Sequence, residues 1–347
     1  MSGSTATTSK SVTAVAPGKV ILFGEHAINR GQPAIAVAVG LYARCTVEIS
    51  PDDRFHFRSG TRSQDVDAGG VRRVSEEAAA HLRDEDFAAV RALSASDYFA
   101  PQKYVLGYVF QGRFPYGLSL RWESEVPPHS GLGSGASAFV AMAEAVCELV
   151  ARKLERVHRG DLALRGETIA HGGIASALDT QTSLLGGVIE FTGSVPARRL
   201  PFAEGLTLVI GDTRVGAATG EVNARVRRWL DERPAARTHV FRTVGALSRA
   251  AVPALERGDW DGLGRLMNLN QLVLEKIGVS CPEADRLIAA ALEAGALGAK
   301  VSGSGGGGII VALATPETKK AVADAITEAG GNASTPEVAV PGVRINP

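Results

Sequence analysis

A lysine, a glutamate and a histidine stand within eight residues of otherwise apolar chain, Lys19-Val20-Ile21-Leu22-Phe23-Gly24-Glu25-His26. A cation, a carboxylate and an imidazole in a run that must be largely buried need partners, and such groups can move protons or hold anions. Glu167-x-x-x-His171 would share one helix face, a spacing that also suits a metal pair but is common. Asp179 lies in an Ala/Ser/Gly-rich stretch ahead of an apolar strand, where a carboxylate requires a partner. Singly, each has a plainer reading: a surface lysine, a structural histidine, a helix ion pair.

Two glycine-rich segments could bring backbone to an anion. The first, Pro128-His129-Ser130-Gly131-Leu132-Gly133-Ser134-Gly135-Ala136-Ser137, falls between an alternating strand and a long helix. Glycine lets successive N–H groups converge, and a helix N-terminus adds partial positive charge, which suits phosphate. A connection that uses glycine only for its turn would read the same. The P-loop pattern G-x-x-x-x-G-K-[ST] is absent. Gly131-x-Gly133-x-x-Ala136 fits the dinucleotide fingerprint, but two prolines part it from the strand, and Glu144 and Glu148 fall inside the helix rather than after a second strand. The second segment, Ser302-Gly303-Ser304-Gly305-Gly306-Gly307-Gly308, has the composition of a linker. Its apolar flanks instead pin it as a loop between buried strands, open to close approach.

The elements that must position these groups follow from periodicity. Residues 12–16 and 20–23 read as two strands split by a turn at Pro17-Gly18-Lys19, and residues 34–49 as one long half-buried strand. Helical stretches are expected over 74–83 and 86–93, a strand over 118–123, and one Ala-rich helix over 136–158. Ser280-x-x-Glu283 with Pro282 reads as a capping box, residues 299–312 as strand, loop and strand, and residues 338–345 as a closing strand. The mixture indicates an α+β fold in two domains, 12–195 and 196–347, with the texture changing over residues 191–201. Residues 1–11, rich in Ser and Thr, are expected to form a disordered tail.

Composition narrows the function classes. With 37 basic against 37 acidic residues, the neutral chain has no global pull toward nucleic acid or an anionic membrane. No apolar window is long enough to span a bilayer, and the three cysteines, Cys45, Cys147 and Cys281, show no paired spacing. These features point to a cytoplasmic protein with no nucleic-acid or membrane partner, and a homodimer is compatible with them.

The segments 16–27, Pro127-Pro128 with Gly131-Leu132-Gly133-Ser134, and 300–308 resemble, in order, the three signature motifs of the GHMP kinases (galactokinase, homoserine kinase, mevalonate kinase, phosphomevalonate kinase). Lys19-Val20-Ile21-Leu22 with Gly24-Glu25-His26-Ala27, followed by Gly31-Gln32-Pro33-Ala34, is most similar to the mevalonate kinase branch, as is Met267-Asn268-Leu269-Asn270-Gln271. The resemblance implies an N-terminal domain like the second domain of ribosomal protein S5, a ferredoxin-like C-terminal domain, and an active site between them.

It also implies transfer of the ATP γ-phosphoryl group to the primary hydroxyl of mevalonate, with Mg²⁺ as cofactor and ATP and a small alcohol as partners. Lys19, Ser130, Gly131, Leu132, Gly133, Ser134, Gly135 and Ala136 would bind ATP. Asp179 would be the general base beside Lys19, and Glu167 and Ser134 would hold Mg²⁺. Glu25, His26, Ser302, Gly303, Ser304 and Gly305 would face the acceptor. Alternatives within the resemblance are another small hydroxy acid, a phosphorylated mevalonate derivative, or a non-catalytic metabolite-binding member. Two positions depart from the family pattern. Ser134-Gly135 stands where two serines are usual, leaving water, Ser134 or Ser137 to supply the missing oxygen, and Ala175-Ser176-Ala177-Leu178 precedes Asp179 where Pro-Ser-Gly-x is common.

Overall fold

A long antiparallel ladder organises the first half. The computed structural model describes residues 11–346 except 129, 152, 153, 195, 217 and 218. Apart from Ser11, the expected tail therefore lies outside the described residues. β1 (Ser11–Phe23) pairs with β2 (Ala34–Ile49), whose Val, Ile and Tyr content favours an extended chain. The two strands expected on either side of Pro17 are one. The register instead shifts between Pro17 and Gly18, where the partner changes from Tyr42 to Val39, so a bulge absorbs the proline's missing N–H.

β3 (Phe55–Ser59) and β4 (Arg62–Val66) form a hairpin that joins the sheet through β5 (Leu118–Ser124). β6 (Val188–Phe191) pairs with β2, and β7 (Arg198–Leu200) with β6. Helices α1 (Ala68–Arg83), α2 (Phe87–Ser96), α3 (Ala100–Phe110), α4 (Ser134–Leu149), α5 (Arg156–Ala170) and α6 (Ala177–Leu185) pack with this sheet. The single helix expected over 136–158 is two. Ala151 takes φ +50°, and the chain folds back so that Arg159 meets Glu144 at 2.6 Å. The hairpin β3–β4 and helix α3 escaped the sequence reading: β4 carries no apolar alternation, and α3 is buried on nearly every side, including Lys103 beside Asp97.

The second half holds β8 (Thr207–Asp212), β9 (Gly298–Ser302), β10 (Ile309–Ala314) and β11 (Asn332–Ser334) in the order β11-β8-β10-β9. Around it lie α7 (Thr219–Asp231), α8 (Pro234–Arg257), α9 (Trp260–Lys276), α10 (Pro282–Glu293) and α11 (Lys319–Glu328). The cap of α10 is Cys281, because the Ser280 hydroxyl turns to Asp285 and Gln271 instead of the helix amides. The closing strand shrinks to β12 (Arg344–Asn346), which pairs with β1. β7 and β12 thus hydrogen-bond into the first sheet although both lie beyond residue 195. Among the described residues no helix is long and apolar enough to cross a membrane.

The halves share a core and several polar ties. Val20, Leu22, Ile35 and Val37 of the first sheet pack with Leu208, Ile210, Met267 and Val311 of the second half. The Ser302 hydroxyl accepts from Ile21 N and donates to Ile21 O, at 2.9 and 3.0 Å. Deeper in, Lys300 and Glu25, both almost fully buried, form an ion pair, and Asn270 Nδ2 donates to Glu25 at 3.3 Å. Burial pushes the Lys300 ammonium below its ordinary value, opposed by the Glu25 charge. Removing one member of a buried pair strands the other charge. Lys300→Ala is expected to cost ~3–5 kcal/mol in urea unfolding, with most of it recovered in Glu25→Gln/Lys300→Met. A single-variant loss below ~1 kcal/mol would show that water reaches the pair.

Candidate active site

Lys19, just past the bulge in β1 and opposite Ala38 of β2, holds the first glycine loop. Its amide donates to Leu132 O at 2.8 Å, and its Nζ donates to Gly131 O at 2.9 Å. The same ammonium lies 3.0 Å from Asp179 Oδ2, with the lysine buried and the aspartate 30% exposed. A buried cation is thereby paired, and the carboxylate it holds keeps one side open to the cleft. Asp179 stands in the first turn of α6, where the Ser176 hydroxyl caps Leu178 N and the helix end favours negative charge.

The loop itself is braced from below. Ser130 Oγ donates to Pro127 O at 2.8 Å and accepts from Leu132 N at 3.3 Å. Gly133 caps α4 in a left-handed conformation, leaving the first amides of the helix without intrahelical acceptors. Leu132 turns its side chain into the core and contributes its carbonyl.

Glu167, on α5, is buried directly behind α4. Its Oε2 lies 3.4 Å from His171 Nε2, while Oε1 is buried with no hydrogen-bond partner among the described residues. A Cβ placed on Gly135 would stand 2.3 Å from that Oε1. The departure at Gly135 is thus the space Glu167 fills. Ser137 supplies no outward oxygen, since it is fully buried and its hydroxyl donates to Ser134 O at 3.0 Å. The Glu167 carboxylate raises the His171 pKa, chiefly by the hydrogen bond and against burial.

These groups line one cleft of about 1310 Å³. It gathers Lys19, Glu25, His26, Ser130, Gly131, Gly133, Ser134, Gly135, Ala136, Glu167, Asp179, Gly303 and Ser304, separated by up to 285 positions in sequence. Two expected acceptor residues are engaged elsewhere: Ser302 with Ile21, and Gly305 against Val279. The far end is lined by Arg58, Gly60, Tyr98, Gln102 and Trp122, which sequence reasoning missed. They sit on the hairpin, the α2–α3 connection, the first turn of α3 and β5, none of which carries a glycine or charge motif. Gln102 Oε1 is buried there without a partner among the described residues.

The family model for the GHMP kinases N terminal domain matches residues 101–187, and that for GHMP kinases C terminal matches residues 251–332. A mevalonate kinase of Thermococcus gammatolerans is 34% identical over 339 residues, spanning 96% of this chain and 98% of that protein. The chain belongs to the GHMP kinases. The crystal structure of L. major mevalonate kinase, in complex with R-mevalonate, superposes with a TM-score of 0.76 at 26% identity, covering 97% and 98% of the two chains. Lactococcus lactis galactokinase, complexed with galactose, also reaches 0.76, at 18% identity and coverage of 96% and 95%. Fold alone therefore does not separate the acceptors, and the sequence similarity favours the mevalonate kinases. As a GHMP kinase this chain is an ATP-dependent phosphotransferase with the expected two-domain α+β architecture.

His26 ties the second glycine loop to the cleft in this kinase. It takes φ +59°, and its Nε2 lies 3.0 Å from Ser304 O, so that nitrogen must carry the proton. Burial lowers the His26 pKa, opposed by the Ser304 carbonyl and reinforced by the Arg30 charge. A depressed value means that the folded form favours the neutral ring. This contribution is present above the ordinary histidine pKa of ~6.5 and is lost as pH falls toward the folded value. NMR titration of the imidazole should place His26 below ~6.5, with loop resonances around 303–308 shifting in the same acidic range. A His26 midpoint above ~6.5 would contradict this account.

Proposed function

We propose that this kinase transfers the γ-phosphoryl group of ATP to the primary hydroxyl of mevalonate. The observation that carries the proposal is the Lys19–Asp179 contact of 3.0 Å, placed where the loop 130–136 opens into the cleft. Phosphoryl transfer relies on alignment and charge compensation, which this arrangement supplies. The amides at the start of α4 and the Lys19 ammonium would cradle the phosphates, and the base would lie at the end lined by Tyr98, Gln102 and Trp122. Asp179 accepts the proton of the acceptor hydroxyl as the oxygen attacks the γ-phosphorus, the bond to the β,γ-bridging oxygen breaks and ADP leaves, while Lys19 offsets the charge that gathers on the transferred group. His26 and the 303–304 backbone close the acceptor side.

The donor set suits Mg²⁺. Glu167 Oε1 is a buried carboxylate oxygen with no protein donor, and hard oxygen ligands are what this cation takes. Glu167 and Ser134 would hold it, and when bound it would neutralise phosphate charge. The same carboxylate takes the space that a side chain at position 135 would need.

Asp179→Asn keeps shape but accepts no proton; kcat should fall by ~10²–10⁴ with ATP affinity nearly unchanged. More than a third of wild-type kcat remaining would remove Asp179 from this role. Glu167→Gln should raise the Mg²⁺ concentration for half-maximal activity, and Gly135→Ala should do the same because its Cβ displaces Glu167 Oε1. Mg²⁺ titration at fixed ATP checks both, and curves superimposable on wild type would place the ligand elsewhere. Among mevalonate, homoserine and galactose, mevalonate should lead in kcat/KM by at least ~10³.

A further inference from the structure

The chain is neutral overall, yet residues 219–257, spanning α7 and α8, hold eight arginines against four carboxylates. Arg30 joins this surface from the turn after β1. It donates to His26 O at 2.8 Å, and its guanidinium lies 4.3 Å from the centre of the Phe241 ring on α8. Burial lowers the Arg30 pKa, and the nearby charges of Arg237 and Arg227 push it the same way, so Arg30 lies within electrostatic reach of both. All three residues are exposed. The ion pair described on this surface, Arg233–Glu232 at 2.8 Å, leaves them out.

Position gives the rim its meaning. Asn223 lines the cleft and stands one helical turn before Arg227, on the same face of α7. His26, Ile28 and Asn29 line it immediately before Arg30. The arginines therefore border the end where His26 meets Ser304, away from the end lined by Tyr98 and Trp122. Like charges gathered without counter-ions weaken a fold, but they create a positive potential over the opening beside them. At physiological salt that potential decays over ~8 Å, so it acts on what enters at this rim.

We propose that Arg30, Arg227 and Arg237 form an electrostatic funnel that concentrates a carboxylate-bearing acceptor at the mouth of the cleft. The proposal rests on the acceptor being the small hydroxy acid assigned above. None of the three touches Lys19 or Asp179, so the funnel acts on acceptor capture and leaves phosphoryl transfer itself unchanged.

The test compares wild type with Arg227→Glu/Arg237→Glu and Arg227→Lys/Arg237→Lys, phosphorylating mevalonate from about 20 to about 500 mM KCl. Charge reversal should raise the KM for mevalonate about tenfold at low salt, with kcat and the KM for Mg-ATP within about twofold. The difference should shrink as salt rises, and the lysine variant should follow wild type. An unchanged KM at low salt overturns the funnel, as does a salt-independent loss shared by the lysine variant. If wild type prefers another acceptor, the assignment of mevalonate fails, and the same comparison with that acceptor decides the rim. A neutral preferred acceptor overturns the rim as well.

Discussion

One buried ammonium group sets the geometry of this cleft. Lys19 connects three segments: its own strand, the loop at Gly131 and Leu132, and Asp179 on α6. Taken from water without these partners, the charge would cost several kcal/mol, so the loop and the helix must meet where the lysine ends. The close approach also fixes residue size. A Cβ on Gly18 would stand 2.9 Å from Leu132 O, and one on Gly133 would stand 3.0 Å from Lys19 Cγ.

The cleft wall around His26 and Ser304 depends on a second constraint, the seam between the halves. Ser302 completes hydrogen bonds with the Ile21 backbone, and the Glu25–Lys300 pair lies beneath it. Glu25 thus shapes the site mainly by holding Lys300 and Asn270. A residue that the GHMP resemblance places against substrate is, in this structure, also a fastener of the cleft wall.

Gly135 and Glu167 show how a departure at one position is read through another. The missing serine leaves a gap at the start of α4, and a buried carboxylate oxygen occupies it.

The sequence by itself determined the loops and the residue types. Glycine runs at 131–135 and 303–308 permit backbone that other residues resist, a local property legible without a fold. Lys19, Asp179 and Glu167 stood out because charged groups in apolar surroundings require partners. The β2 strand was likewise legible, its bounds set by a local alternation. Tertiary structure alone decided who the partners are. Lys19 finds Gly131 across 112 positions and Lys300 finds Glu25 across 275, and no local pattern encodes such pairings. The hairpin β3–β4, helix α3 and the far wall of the cleft that they build were hidden for a local reason. β4 lacks an apolar alternation and α3 is buried on nearly every side, so periodicity carries no signal for either.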